Sequence, residues 1–299
     1  MCGIAGILSF NNKVQITEVQ SMLKTIEHRG PDGDGCWIGG EHQQIGLGHT
    51  RLAIVDLSEK GKQPMHFAKR YTITFNGEIY NYIVLKERLK NKGYDFVSGT
   101  DTEVLLAMFH DQGIDMLSEL DGMFSFAIWD NQNQELFCAR DRFGEKPFYY
   151  NLNKKNFIFG SEIKTVLNQS NEQIQNDKWI FNYLFRNIEG NPSDLSETLY
   201  QNVKSLPAGH YLRIRNNQPE IKTKRNKSTS DAEALANIFG VLLSTAINSN
   251  AVEDAENDLR AAEERLRNTP RQIENKHYAS YQYSRVSKGE RLHLGGNTF

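Results

Sequence analysis

Cysteine is scarce in this chain of 299 residues: Cys2, Cys36 and Cys138 are the whole complement. They are far apart, odd in number and include no C-x-x-C pair, which argues against a disulfide framework and against the common zinc spacings. Charge of one sign is lacking too. The 35 lysines and arginines nearly cancel the 37 acids, leaving −2, so there is no electrostatic footprint for nucleic acid or for an anionic membrane surface. No apolar run reaches the roughly 18 residues of a membrane span. No leader is read either, because strand-like sequence starts at once and gives way to polar Asn11, Asn12 and Lys13. The expectation is a soluble cytoplasmic protein. Repeats and a G-x-x-x-x-G-K-[ST] phosphate loop are also missing. What is plentiful is apolar sequence, 38% of the chain, enough for one large domain or two smaller ones.

The first of these cysteines stands directly after Met1. Methionine is removed before small residues, and its removal leaves Cys2 with a thiol and a free α-amino group on one residue. That pairs a nucleophile with its own base. The amine has a pKa of roughly 7.7–8.0, so part of it is neutral at pH 7, and a thiol attacks best as thiolate. Residues 3–8 read as an apolar strand able to hold this terminus rigidly.

Further along, apolar positions 16, 19, 22, 23 and 26 give a one-sided helix over residues 16–27. Residues 28–35, His-Arg-Gly-Pro-Asp-Gly-Asp-Gly, cannot continue it and read as a shaped loop. Residues 45–55 alternate as a strand interrupted by Arg51. That arginine needs an anion, either an internal carboxylate or a substrate carboxylate matched to its fork. Residues 71–75 form a strand running into Asn76-Gly77-Glu78, where Asn-Gly signals a turn before helical spacing from Ile79 to Leu89. A strand, a glycine turn and a helix can expose N–H groups, and with the Asn76 amide could hold an oxyanion. Thr100 and Glu103 have capping-box spacing at the start of another helix. Asp101 then serves the helix dipole or a ligand amine, which the sequence alone does not separate. Residues 123–129 and 134–140 read as a hairpin with Cys138 in the core, followed by a charged loop, 140–147. A strand at 157–159, helices near 162–167 and 179–185, and a last strand after 206–212 complete this part. From residue 216 to 230 the chain is polar and lysine-rich, a linker by appearance. Two helical stretches, 232–247 and 251–267, and a polar remainder follow.

In order and spacing, Met1-Cys2-Gly3-Ile4, the loop from His28 to Gly33, Gly48-His49-Thr50-Arg51-Leu52-Ala53-Ile54-Val55-Asp56, Asn76-Gly77-Glu78-Ile79-Tyr80-Asn81 and Gly99-Thr100-Asp101 together resemble class II glutamine amidotransferases, and among them the glutamine-dependent asparagine synthetases. The 140–147 loop and Gly160-Ser161-Glu162-Ile163-Lys164 match the same branch. The resemblance covers residues 1–215 as a glutaminase domain. It implies an α+β fold, a four-layer αββα sandwich of the N-terminal nucleophile hydrolase type; the tail over 231–299, outside the resemblance, reads from its own residues as helical and irregular, with no role assigned. It also implies roles. Cys2 attacks the side-chain amide of L-glutamine, while Asn76 and the Gly77 N–H form the oxyanion hole. Arg51 takes the carboxylate. Glu78, Asp101 and backbone groups of Leu52, Ala53, Ile54 and Val55 fix the rest of the amino acid.

The departure from the family is the ATP-binding Ser-Gly-Gly-x-Asp-Ser-Ser loop, which is not among these residues. The expectation is a glutaminase half with no cofactor and no metal of its own. ATP and Mg would belong to a synthetase domain missing here, and a separate ATP-dependent synthetase subunit is the expected partner, with a homodimer left open. The competing reading is a non-catalytic module that binds glutamine or a partner.

Overall fold

The computed structural model describes residues 1–53, 58–170, 173–186, 191, 194–215 and 218–223. Two six-stranded sheets form its centre, and every ladder in both is antiparallel. The first holds β1 (Gly3–Ser9), β2 (Asp34–Gly39), β3 (Ile45–Thr50), β8 (Tyr149–Leu152), β9 (Asn156–Gly160) and β10 (Lys204–Ser205), in the order β10-β8-β9-β1-β3-β2. The second holds β4 (Met65–Phe67), β5 (Tyr71–Ile79), β6 (Gly122–Asp130), β7 (Glu135–Arg140), β11 (His210–Arg215) and β12 (Gln218–Thr223), in the order β12-β11-β7-β6-β5-β4.

Three separate apolar clusters define the layers. Alternate residues of each strand share a face, and Ile4, Leu8, Ile45 and Leu47 of the first sheet meet Ala127, Trp129, Leu136 and Leu212 of the second. Helices α1 (Ile16–Lys24) and α4 (Ile163–Leu167) cover the outer face of the first sheet through Val19, Met22, Leu23 and Val166. Helices α2 (Tyr82–Lys90) and α3 (Asp101–Gln112) cover the second through Leu85, Leu89, Val104 and Met108. The result is the expected αββα sandwich. Among the described residues no helix is long and apolar enough to cross a membrane.

Several local expectations are corrected. Asn76-Gly77-Glu78 is not a turn. Strand β5 runs straight through it, paired with β6 from Tyr71↔Asp130 to Ile79↔Gly122. Nine residues of ladder outweigh the local preference of an Asn-Gly pair. The chain turns later, where Tyr80 N–H donates to the Asp121 carbonyl (2.7 Å) and the Asn81 carboxamide bridges Glu119 and Asp121, and α2 begins at Tyr82. The polar stretch from residue 216, read as a linker, contains β12 at Gln218–Thr223, paired along its length with β11. Strands β2 and β4 carry no clean alternation and escaped the sequence reading. The capping box at α3 is half made: Thr100 Oγ1 accepts from Glu103 N–H (3.2 Å), but the Glu103 carboxylate accepts from Val97 and Ser98 N–H instead of Thr100. The helical stretches expected from residue 232 onward, and most of the expected linker, lie outside the described residues.

Phe159 sits in the inter-sheet core, fully buried and stacked on Phe148 at 5.2 Å between ring centroids. Phe159→Ala should lower the free energy of unfolding by about 3–5 kcal/mol, read from the urea midpoint at unchanged slope.

Candidate active site

The chain reaches its site within two residues. β1 lies between β3 and β9, with Gly3 opposite Thr50 and Ala5 opposite Gly160, so the terminus is held by neighbours on both edges. Side chains of Ile4 and Leu8 enter the inter-sheet core, and the two-residue period sends Cys2 toward the same space. There the Leu52 N–H donates to Cys2 Sγ at 3.3 Å and the thiol faces the Leu52 carbonyl at 3.4 Å. Arg29 Nε donates to the Cys2 carbonyl at 3.0 Å, while its Nη1 is matched by Glu162 at 3.0 Å.

The glycine-rich loop before β2 braces the segment after β3. Asp32 N–H donates to the Arg51 carbonyl (2.9 Å) and Arg51 N–H to the Gly33 carbonyl (2.7 Å). Asp32 Oδ2 accepts from Ala53 N–H at 2.8 Å. Gly30 is required by this approach, since a Cβ there would lie 2.3 Å from the Arg51 nitrogen. Arg51 itself is 9% exposed, and its Nη2 donates to the Ser58 carbonyl at 3.0 Å.

The free edge of β5 supplies the opposite wall. β4 pairs only with Tyr71 to Ile73. Beyond it, Phe75 N–H donates to Gln63 Oε1 (2.6 Å) and Ile79 N–H to Asp101 Oδ2 (2.9 Å). Alternate N–H groups therefore point away from β6, and that of Gly77 lies between these two. A side chain at 77 would collide with β6, since its Cβ would lie 2.2 Å from the Met123 carbonyl oxygen. The Asn76 side chain takes the other face. It is 1% exposed, and its Nδ2 is buried with no partner among the described residues. Such an unmet donor costs about 1–3 kcal/mol, which a ligand acceptor would recover.

These groups line one cleft of about 350 Å³, bordered by Met1, Cys2, Arg51, Leu52, Ala53, Asn76, Gly77, Glu78 and Asp101. Eight of the ten expected site residues are thus brought together. Ile54 and Val55 lie outside the described residues. The cleft also includes His49 and Lys146, to which sequence reading assigned no role although both stand inside the quoted motifs. His49 is buried next to Arg51, and desolvation lowers it to about 3, against a backbone hydrogen bond with Phe75. It is therefore neutral at ordinary pH, with Nε2 unpartnered. Burial raises the Cys2 thiol above the usual thiol range; the Leu52 N–H, the N-terminal charge, Lys146 and Arg51 pull it back. Among the described residues no group of three or more metal-type side chains is assembled.

Comparison with known families decides what this arrangement belongs to: the sequence model of the glutamine amidotransferase domain matches residues 1–227. The chain belongs to the glutamine amidotransferase domain family. Similar proteins include two of Bacillus subtilis named as glutamine-hydrolysing asparagine synthetases 3 and 1. The first is 43% identical over 173 residues, 56% of this chain and 27% of that protein. The second is 38% identical over 220 residues, 72% of this chain and 34% of that protein. The chain thus spans about a third of the length of these relatives. Among solved structures, glutamine phosphoribosylpyrophosphate amidotransferase from B. subtilis shares the fold with a TM-score of 0.54 at 19% identity, over 74% of this chain and 49% of that one.

Asp101 makes this amidotransferase domain sensitive to pH. Desolvation, partly offset by the Ile79 and Thr102 N–H groups, pushes it up to about 6; an unfolded aspartate titrates near 3.9. Between those values the folded chain keeps a proton that the unfolded chain has lost. Stability from this group is therefore greatest below about pH 4 and declines as pH rises toward 6. The loss at neutral pH is on the order of 3 kcal/mol. In Asp101→Asn the decline should vanish, so urea titrations should show variant stability gaining on wild type from pH 4 to 6 and holding steady above. A difference independent of pH would contradict this burial.

Proposed function

We propose that the cleft hydrolyses L-glutamine to L-glutamate and ammonia, with Cys2 as the nucleophile. Removal of Met1 frees the Cys2 amine, which takes the thiol proton. Sγ bonds to the side-chain amide carbon, and the carbonyl oxygen becomes an oxyanion held by Asn76 Nδ2–H and the Gly77 N–H. The C–N bond then breaks, the amine's proton passes to the leaving nitrogen, and ammonia departs. Water adds to the thioester, the C–S bond breaks, and glutamate and the free thiol result. Arg51 suits the α-carboxylate, Glu78 and Asp101 the α-ammonium, and Leu52 to Val55 line the remainder.

One observation carries the reading. The Cys2 thiol and the unmet Asn76 donor open on the same cleft, which also holds a guanidinium and two carboxyl groups for a zwitterion. A module that only bound glutamine would need no thiol there. For the ammonia, similarity to asparagine synthetases supports an aspartate acceptor, activated with ATP and Mg by a synthetase portion beyond this domain, in a cytoplasmic setting.

Cys2→Ala should abolish ammonia release while circular dichroism stays unchanged; release equal to wild type would sink the covalent route. A preparation shown by intact mass to retain Met1 should be nearly inactive, because an amide nitrogen is not a base and Met1 stands at the cleft beside Cys2. Full activity in that form would exclude the amine as base.

The two binding groups should separate kinetically. Arg51→Ala should raise KM with a smaller effect on kcat, whereas Asn76→Ala should lower kcat by roughly 10²–10³-fold. The reverse pattern in steady-state kinetics would show their roles exchanged.

A further inference from the structure

The loop from Arg140 to Pro147 is far more heavily built than a connection between strands requires. Asp141, 1% exposed, accepts four backbone N–H bonds: from Phe143 (3.0 Å) and Glu145 (2.9 Å) at Oδ1, and from Lys146 (2.9 Å) and Phe124 (3.3 Å) at Oδ2. Arg140 clamps the same loop from the other side. Its Nε donates to the Lys146 carbonyl (2.7 Å), Nη2 to the Gly144 carbonyl (2.7 Å) and Nη1 to the Leu206 carbonyl (2.7 Å). Two of these bonds, to the N–H and the carbonyl of Lys146, fix the backbone from which its side chain leaves. Lys146 is 6% exposed and borders the cleft of Cys2. A lysine so buried ordinarily pairs with a carboxylate, yet no ion pair forms to it among the described residues. Among the described residues its Nζ reaches the Met1 Sδ, at 3.4 Å, and no other acceptor. A thioether is a weak acceptor, and it is the very group that processing removes.

We propose that Lys146 is a positioning residue whose ammonium keeps the processed Cys2 head in its reactive state, holding the α-amine neutral and able to take the thiol proton and stabilising the thiolate as it forms at Sγ. The inference rests on Cys2 being the nucleophile proposed above. A cation close to a thiol favours the thiolate, and a cation close to an amine disfavours a second positive charge. Both effects push the coupled pair toward nucleophile plus base. The other charged or titratable groups around Cys2 do not duplicate this. Arg29 is matched by Glu162, His49 is neutral, and Glu78 and Asp101 carry the opposite sign; Arg51 acts on the thiol in the same sense as Lys146 but more weakly. The need for a cation is real, because burial acts to keep the Cys2 thiol protonated.

The test uses the full chain with Met1 removed, verified by intact mass, as wild type, Lys146→Met, Lys146→Gln and Lys146→Arg. Two readouts are taken against pH: the rate of iodoacetamide alkylation at Cys2, quantified on its own peptide, and the acid limb of kcat/KM for glutamine. In the two neutral variants the alkylation midpoint should move up by about one pH unit, with the acid limb moving the same way. Lys146→Arg should return both toward wild type. Asp101 borders the same cleft and shifts with the Lys146 charge, so it contributes to the acid limb, and the alkylation midpoint at Cys2 is the deciding readout. Where Lys146→Met does not fold, Lys146→Gln carries the test. A midpoint unmoved in a folded neutral variant, or an Arg variant displaced as far as the neutral ones, overturns the proposal. A wild type that releases no ammonia would defeat the glutaminase reading, while the alkylation midpoints would still decide the role of Lys146.

Discussion

Antiparallel pairing of β1 on both of its edges is the constraint from which the rest of the site follows. A chain end normally frays, because ordering it costs about 1–2 kcal/mol per residue with little returned. Here Gly3 to Ser9 lie between β3 and β9, and Ile4 and Leu8 are anchored between the sheets. Cys2 thereby inherits a direction from a strand whose position is fixed along both sides. The Arg51 segment inherits its own from β3, and the Asn76 carboxamide from β5. All three lie where the apolar inter-sheet core ends and a cleft opens.

That cleft is electrostatically arranged rather than merely polar. Arg51 and Lys146 meet Glu78 and Asp101 across about 350 Å³, a pattern of both signs that suits a small zwitterion better than a simple anion or cation. Polar groups taken into this cleft need partners, and three of them are met in different ways. Asp101 is supported by the Ile79 N–H, Arg51 by the Ser58 carbonyl and bracing backbone bonds, and His49 by remaining neutral. The Asn76 Nδ2 has no answer within the described residues, and that unmet donor is the observation on which the proposed oxyanion role rests.

Much of the setting of Cys2 was legible because it is local. Strand, helix and loop periods are short-range properties, and residues 3–8, the first helix, the 123–140 hairpin and the glycine-rich brace were read from them. Where reading failed, a distant partner had overruled a local preference. Asn76-Gly77 favours a turn on its own, yet nine paired residues of β6 hold it extended. The polar stretch after residue 216 looks like a linker until β11 provides a ladder for Gln218–Thr223.

The amino-acid sequence by itself determined the chemistry on offer: a thiol beside an α-amine, a guanidinium inside an apolar strand, an amide next to a glycine, and the order of motifs that marks the family. Only the tertiary structure decided which of these groups share a space. It made Gly77 an edge donor rather than a turn residue, left the Asn76 amide unmet, and brought Lys146, 144 positions from Cys2 in sequence, into the same cleft. The physical reason is the difference in range. Residue type and period act over a few positions, whereas edge exposure, burial and the sign of a local field depend on which strands lie side by side.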